Sequence, residues 1–369
     1  MGGAEYQAKV LTEALVSSGK YRVTWICRYV SAGFLPSGYE IQQLAPPRIF
    51  GVANPFPNRY STDFCRLIKL LRDVVKPDLI YQRVGCAYTG IAARYMRNSG
   101  CRMIWHVARE DDVTPEMLGL RPSNLIQSIV EKKFVEYGAR HAGRIVVQTR
   151  VQQALLQRNH GRTDAVLIPN FHPSPVHAIE KDDIFTVAWV ANFKFTKRPE
   201  EFVNLAARFS HRRDIRFVMV GAISPSDTFH MWLKERISAM PNVSYLGQLS
   251  QDEVNALLGR AHLFVNTSAV EGMPNTFIQA WVRKTPVLSL SVNPDDMLDG
   301  GGIGACVGNL AGLVDAVTRL AADREQLRKM GEASALFARE HFSVNNLNRL
   351  LELIGNELRL ATSLDAPSN

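Results

Sequence analysis

The stretch Glu271-Gly-Met-Pro-Asn-Thr-Phe-Ile-Gln279 sets a carboxylate and, eight positions on, a carboxamide at the two ends of a short loop. An apolar run, His262-Leu-Phe-Val-Asn266, precedes it and reads as a buried strand, while Phe277-Ile-Gln-Ala-Trp281 reads as the first turns of a helix. At the carboxyl end of a parallel sheet, a strand-loop-helix junction of this kind presents backbone N–H groups and a helix N-terminus to an anion. Glu271 and Gln279 then flank a phosphorylated, polyhydroxylated ligand, with Gly272, Met273, Pro274, Asn275 and Thr276 between them. Asn275 and Thr276 can cap the helix, offer amide donors to phosphate or sugar, or do both.

Other polar residues follow apolar runs in the same way. His106 ends Met103-Ile-Trp-His and precedes Arg109-Glu-Asp-Asp112, where Asp111 and Asp112 are the nearest carboxylates for deprotonating a hydroxyl, with no ground for choosing between them. Arg83 and Gly85 follow one strand end, and Thr149 and Arg150 another; in a parallel sheet all would point to the same side. Each also reads as an ordinary solvated loop residue or satisfied structural group. Asp111-Asp112, Asp182-Asp183 and Asp295-Asp296 are adjacent pairs rather than a metal-ligand triad. The cysteines Cys27, Cys65, Cys86, Cys101 and Cys306 stand singly, without C-x-x-C spacing, which argues for reduced thiols and against a zinc site.

The pattern Glu-Gly-x-Pro-Asn, with a polar residue eight after the Glu, resembles the nucleotide-sugar loop of retaining glycosyltransferases of family 4, the group 1 type with the GT-B fold. The resemblance implies that Glu271 contacts hydroxyls of a donor sugar and that the residue at 279 contacts the ribose. That second position is usually Glu; Gln279 keeps hydrogen-bonding capacity but loses the charge-assisted component, roughly a factor of two in bond strength. Val187-Ala-Trp-Val-Ala-Asn-Phe-Lys-Phe-Thr-Lys197-Arg-Pro-Glu200 is similar to the family's first donor-domain strand and loop, where an Arg and, five residues later, a Lys contact the diphosphate. Lys197 fills the Lys position and Asn192 stands at the Arg position; Lys194 and Arg198 are near enough in sequence to supply the second cation. A leaving nucleoside diphosphate needs one, because charge grows on its oxygens as the glycosidic bond breaks.

The same resemblance implies a catalytic role for His106, near sugar and acceptor, beside Glu271 and Lys197. It implies a cleft position for Gly2 and Gly3, and a place near the donor base or sugar for Asp295-Asp296. Ile168-Pro-Asn170 is similar to an interdomain Pro-Asn motif, with Phe171 in place of the usual Gly. Catalysis without a metal ion or cofactor, using the nucleotide sugar as co-substrate, is what the family implies.

Strands and helices alternate along the chain, the pattern of parallel sheets covered by helices on both faces. Strands are expected near 22–27, 78–82, 102–106, 144–148 and 165–168, then 185–190, 216–220, 243–246, 263–266 and 287–290. Helices are expected to begin near Ala4, Ser61, Ala87, Asn124, Arg150, Pro199, Thr228, Gln251, Asn275 and Leu310. Two Rossmann-like, doubly wound α/β domains are therefore expected, and the resemblance implies that they form a GT-B fold and face a cleft. It further implies that residues 1–172 bind acceptor and 173–341 the nucleotide sugar. Pro169-Asn-Phe-His-Pro-Ser-Pro175 separates them because its prolines interrupt any helix. A helix is expected over 342–361, which the resemblance implies crosses back to the first domain, with a disordered tail at 362–369. Met1-Gly-Gly-Ala-Glu5 begins at a Gly turn rather than at a strand, so the first strand of the N-terminal domain is expected to be missing and to leave two unpaired edges, as in a truncated gene product or a protein with a weakened acceptor domain.

With 369 residues the chain is long for one core, and 46% hydrophobic with 21% charged residues is ordinary for a soluble globular protein. No signal peptide or apolar run of ~18 residues is visible, so the chain is not expected to cross a membrane unaided. Residues 1–172 carry 23 Lys and Arg against 13 Asp and Glu, the remainder 20 against 22. A basic first half fits an anionic acceptor or peripheral contact with an anionic membrane at the cytoplasmic face, or simply an Arg-rich solvated surface. The basic residues are dispersed and no nucleic-acid motif accompanies them, which argues against nucleic acid.

The expected function is retaining, metal-independent glycosyl transfer from a nucleotide sugar to a glycan or lipid-linked acceptor, of the kind used in cell-envelope or exopolysaccharide biosynthesis. Two alternatives stand beside it: a GT-B nucleotide-sugar 2-epimerase, and a non-catalytic or degenerate sugar-nucleotide-binding protein.

Overall fold

The computed structural model describes residues 3–30, 36–44, 48–49, 52–53, 59–114, 125–175, 180–224, 226–300 and 302–364. The chain forms two compact units, Met1–Pro169 with Asn346–Asn369, and Asn170–Asn345.

The first unit opens with helix α1 (Gly3–Ser17), followed by strands β1 (Thr24–Cys27), β2 (Glu40–Gln43), β3 (Arg48–Ile49) and β4 (Val52–Ala53). Helix α2 (Arg59–Lys69) runs on into a π-helical turn, Leu70–Val75, which stops at Lys76 in the left-handed region (φ 46°). Then come β5 (Leu79–Arg83), α3 (Ala87–Ser99), β6 (Arg102–His106), α4 (Leu125–His141), β7 (Arg144–Val147), α5 (Arg150–His160) and β8 (Val166–Leu167). Strands β5-β6-β7-β8 make one parallel sheet and β1-β2 a second parallel pair, while β3 and β4 are antiparallel. Among the described residues β1 pairs only with β2, and β5 only with β6. β2, Glu-Ile-Gln-Gln, lacks the apolar enrichment by which β5, β6 and β7 are read from the sequence.

In the second unit β9 (Phe185–Val190), α6 (Pro199–Arg208), β10 (Ile215–Val220), α7 (Thr228–Ser238), β11 (Val243–Tyr245), α8 (Gln251–Arg260) and β12 (Leu263–Asn266) alternate. They continue into α9 (Asn275–Trp281), β13 (Val287–Ser289), α10 (Met297–Gly300), β14 (Gly304–Cys306), α11 (Leu310–Ala322) and α12 (Arg324–His341). The sheet order is β11-β10-β9-β12-β13-β14, every pairing parallel. Its central strands are apolar runs because helices cover both faces. Alternate residues of β9 serve opposite cores: Val187 and Trp189 pack with Phe202, Phe217 and Leu313, whereas Ala188 packs with Phe264, Phe277 and Trp281. Chain order reverses between β9 and β12, and a doubly wound sheet binds its ligands just beyond the strand ends at such a switch point.

The last helix, α13 (Val344–Leu364), contributes Glu357 to the first unit, where its carboxylate is bound by Arg102 (2.7 Å) and Arg144 (3.0 Å). It continues three residues past the point where a disordered tail was expected to begin; residues 365–369 lie outside the described part. Among the described residues no helix is long and apolar enough to cross a membrane.

Candidate active site

Two loops of the second unit leave the sheet at the switch point. The loop after β9 closes with a 3-10 turn, Phe195–Lys197, in which Lys197 N–H donates to Lys194 O at 2.8 Å, and α6 then starts with Pro199 in its first turn. The loop after β12 runs from Thr267 to Pro274. Trp189 Nε1, from inside β9, donates to Thr267 Oγ1 at 2.9 Å, and that hydroxyl donates to the Lys197 carbonyl at 2.7 Å. Ala269 N–H donates to Thr196 O at 2.8 Å, so a buried tryptophan, one hydroxyl and one amide tie the two loops together.

The consequence is a contact between the two residues singled out in the sequence. Lys197 Nζ donates to Glu271 Oε1 in an ion pair whose side chains are 24% and 14% exposed. Ser268 Oγ donates to the same carboxylate oxygen at 2.9 Å and is held by Asn266 Nδ2 at 3.2 Å. Asn170 Nδ2 holds the Met273 carbonyl at 3.1 Å, which places the Pro-Asn motif directly behind the loop.

Gly272, Met273 and Pro274 are buried, and Asn275 and Thr276 are half-buried. Pro274 occupies the N-cap position of α9 and its side chain makes no capping hydrogen bond; Asn275 is the first helical residue. The N-cap position of α9 is therefore taken by Pro274 rather than by Asn275 or Thr276. Gln279 is 3% exposed, and its Nε2 donates to Gln251 Oε1 (3.0 Å) and Asn255 Oδ1 (2.9 Å) on α8. Both amide hydrogens are spent there, which leaves the carbonyl oxygen as the group that can accept from another partner. Of the candidate cations, Arg198 lies half-buried at φ 44° with Nη1 3.5 Å from Ser291 Oγ, while Lys194 is exposed, as is Asn192. Asp295 and Asp296 both take positive φ, 47° and 55°.

In the first unit His106 is 2% exposed at the end of β6, and burial first, then the charge of Arg83, holds its imidazole well below the usual pKa. Asp112 is buried and accepts the backbone N–H groups of Ala108 (2.8 Å) and Arg109 (3.0 Å). A side chain at Gly85 would put a Cβ 2.9 Å from the Asp112 backbone, so the glycine allows the two loops to close on each other. Asp112 thereby staples its own loop, and burial raises its carboxyl pKa; Asp111 pairs with Arg109 at 2.9 Å. Thr149 is the N-cap of α5, accepting Gln152 N–H at 3.1 Å, and Arg150 is the first residue of that helix. Gly3 opens α1, and Gly2 lies outside the described residues.

Two features carried no signal in the sequence. Thr267 looks like any loop threonine until the fold brings Trp189 and Lys197 to it. Arg28, just after β1, is ion-paired with fully buried Asp63 of α2 and donates to Tyr88 Oη at 2.6 Å, joining groups 35 and 60 positions away. Among the described residues no three His, Cys, Asp or Glu side chains are grouped as a metal site.

Residues 184–323 match the family model for glycosyl transferases group 1. No curated protein matches the chain. Among solved structures, sucrose-phosphate synthase from Thermosynechococcus elongatus superposes with a TM-score of 0.79 at 16% identity, over 98% of this chain and 94% of that one. Anabaena HepE, solved with UDP-glucose, gives 0.73 at 14% identity over 96% of each chain, and a glycosyltransferase from Rickettsia africae gives 0.69 at 15% over 97% and 95%. The matched segment holds both loops described above, from Asn192 to Gln279, and the chain thus resembles the group 1 glycosyltransferases in sequence over 184–323 and has the GT-B fold along nearly its whole length.

Proposed function

We propose that the chain is a retaining glycosyltransferase that moves a sugar from a nucleotide donor to a hydroxyl of a glycan or lipid-linked acceptor. The observation that carries the reading is the juxtaposition of Lys197 and Glu271 at the switch point of the second unit's sheet. A cation and a sugar-binding carboxylate side by side suit a ligand whose diphosphate and hexose are adjacent. The group 1 family match supports glycosyl transfer as the class of reaction.

In this reading Glu271 accepts hydrogen bonds from hydroxyls of the donor sugar, and Lys197, helped by Arg198, neutralises the diphosphate. Gln279 accepts from the ribose through its carbonyl oxygen. The bond between the anomeric carbon and the diphosphate breaks with its electron pair going to the phosphate oxygen. The acceptor oxygen bonds to the same face of that carbon, and its proton passes to the departing phosphate oxygen. No enzymic nucleophile is needed, and the configuration is retained. Charge stabilisation on the leaving group supplies most of the acceleration. The +10 balance of residues 1–172 supports an anionic acceptor or an anionic membrane as the partner of the first unit. A cytoplasmic, metal-independent enzyme of cell-envelope or exopolysaccharide assembly fits these features.

The test is calorimetric titration of the chain with UDP-, GDP- and ADP-sugars, with Glu271→Ala and Lys197→Ala alongside. One nucleotide class should bind, and each substitution should weaken it about tenfold or more, the scale of one charge-assisted contact. Absence of binding to every donor would remove the proposal in favour of a non-catalytic protein.

A further inference from the structure

At the carboxyl ends of β5 and β6 the register pairs Arg83 with His106 and Tyr81 with Ile104, so Tyr81, Arg83 and His106 share one face of the sheet. Arg83 Nη1 lies 3.3 Å from Tyr81 Oη and 3.1 Å from His106 Nδ1, and Tyr81 Oη lies 2.7 Å from the same nitrogen. The protonation of the ring follows from the donor inventory. A guanidinium can only donate, so Tyr81 Oη and His106 Nδ1 both turn lone pairs toward it. The phenol then gives its single hydrogen to Nδ1. A ring nitrogen that accepts carries no proton, which leaves the hydrogen of a neutral imidazole on Nε2. Nε2 is itself buried and has no hydrogen-bond partner among the described residues. A buried N–H without an acceptor is costly, and the cost is removed if a ligand oxygen completes the bond.

We infer that Tyr81 and Arg83 are positioning residues that hold His106 neutral with its proton on Nε2, so that it donates a hydrogen bond to an oxygen of a bound ligand and does not accept a proton. Resting on the glycosyltransferase reading, that oxygen belongs to the substrate. The arrangement separates His106 from the role of a general base, because Nδ1 is occupied and Nε2 already carries hydrogen. Proton removal from the acceptor then falls to the departing phosphate oxygen alone. Tyr81 and Arg83 act through the ring and touch no reacting atom.

Long-range nitrogen–carbon correlation NMR of the full chain with labelled histidine reads the tautomer directly and needs no substrate. At pH 7 wild type should show His106 neutral with the proton on Nε2. Tyr81→Phe keeps the ring packing and removes one donor to Nδ1; Arg83→Met removes the other. The double variant should populate the Nδ1–H form. A wild-type ring that is charged or carries its proton on Nδ1 overturns the inference, as does a tautomer unchanged in the double variant. Saturating UDP-glucose, with occupancy followed by calorimetry, should move the Nε2 signal in wild type, and Tyr81→Phe should weaken binding about fivefold, the worth of one hydrogen bond. A motionless Nε2 signal at full occupancy removes the ligand contact. Failure of UDP-glucose to bind counts against the proposed function, while the tautomer measurement still decides this inference.

Discussion

Lys197 and Glu271 stand 74 positions apart and form an ion pair, each on the loop that leaves its strand where the order of the second unit's sheet reverses. In the protein without ligand each is therefore the other's counter-ion. On the proposed function, a diphosphate competes with Glu271 for the ammonium, and a sugar competes with Lys197 for the carboxylate. The pair holds both groups in place before either meets substrate, which lowers the ordering cost of binding.

Glu271→Gln follows from this competition. Removing the carboxylate charge frees Lys197 for phosphate, so UDP without a sugar should bind as well as to wild type or severalfold more tightly at low salt. Turnover of the sugar donor should fall by about 10²-fold, the scale of losing one preorganised contact to the transition state. Equal losses in UDP affinity and in turnover would show that Glu271 does not oppose Lys197 in the way the geometry requires.

Thr267→Val tests the tie between the loops. The side chain is fully buried, and its hydroxyl both accepts from Trp189 Nε1 and donates to the Lys197 carbonyl. Valine fills the volume and leaves the indole N–H buried without a partner, at about 1–3 kcal/mol. Urea unfolding should show that loss for Val and much less for Thr267→Ser. A valine variant as stable as wild type, with the serine variant the weaker of the two, would mean that the methyl group, not the hydroxyl, is what the site needs.

Gly221→Ala should be among the most damaging small substitutions. Gly221 follows β10, and a Cβ there would stand 1.9 Å from the Ala191 carbonyl oxygen at the end of β9. Backbone, not a flexible side-chain tip, is in the way, so the strand ends must part, at about 1–3 kcal/mol or more. The same displacement would move the loop that carries Lys197, and donor affinity should fall with stability. A variant as stable as wild type would show that the strand ends separate freely.

The doubly wound halves were legible because β9, β12 and β13 are apolar runs closed by turn residues, and because α6 and α8 begin at Pro199 and at the Ser250 cap. β2 and β14 were not, since Glu-Ile-Gln-Gln and Gly-Ala-Cys have no strand composition of their own; pairing with β1 and β13 makes them strands. Helix α12 also went unread, although it packs Ala338 into the core beside Trp281. At the site Glu271 and Gln279 stood out by their spacing and Lys197 by the resemblance of its loop, and the structure brings Lys197 and Glu271 into contact. Their other partners did not stand out, because Thr267, Gln251 and Asn255 are ordinary polar residues whose roles depend on which strands are neighbours. Asp112 illustrates the converse: one oxygen of a carboxylate in a promising position accepts two backbone amides of its own loop.

Stability should fall on mild acidification. His172 and His262 are each lowered to about 4, chiefly by burial, with Arg283 adding to the effect on His172 and Arg324 and Lys181 on His262. Thr186 N–H donates to His262 Nδ1 at 3.1 Å, a bond that protonation of that nitrogen destroys. Both pKa values lie below that of an unfolded histidine, so the unfolded chain binds more protons between about pH 6.5 and 4. Their contribution is complete above pH 6.5 and is lost as pH falls, by about 1 kcal/mol each at pH 5.5, where most carboxylates remain ionised. The urea midpoint should drop between pH 7.5 and 5.5, and His262→Gln should flatten that dependence. A midpoint level across the interval would place the protons on both histidines in the folded state.

Glu357 gives the sharpest test of the last helix. Its carboxylate is 2% exposed and binds Arg102 and Arg144, whose side chains are about one-third exposed, on neighbouring strands β6 and β7. Removing one member of a buried charge cluster costs more than the cluster is worth, because the remaining charges lose their partner, and about 3–5 kcal/mol is typical. Partial exposure lets water reach the two guanidinium groups, so Glu357→Ala should cost about 2–3 kcal/mol. Glu357→Gln, which can still accept a hydrogen bond from either arginine, should cost less. Because the cluster lies at the amino ends of β6 and β7 and His106 at the carboxyl end of β6, donor affinity should be unchanged in a fully folded sample of either variant. Loss of donor binding without loss of stability would instead give α13 a part in the site.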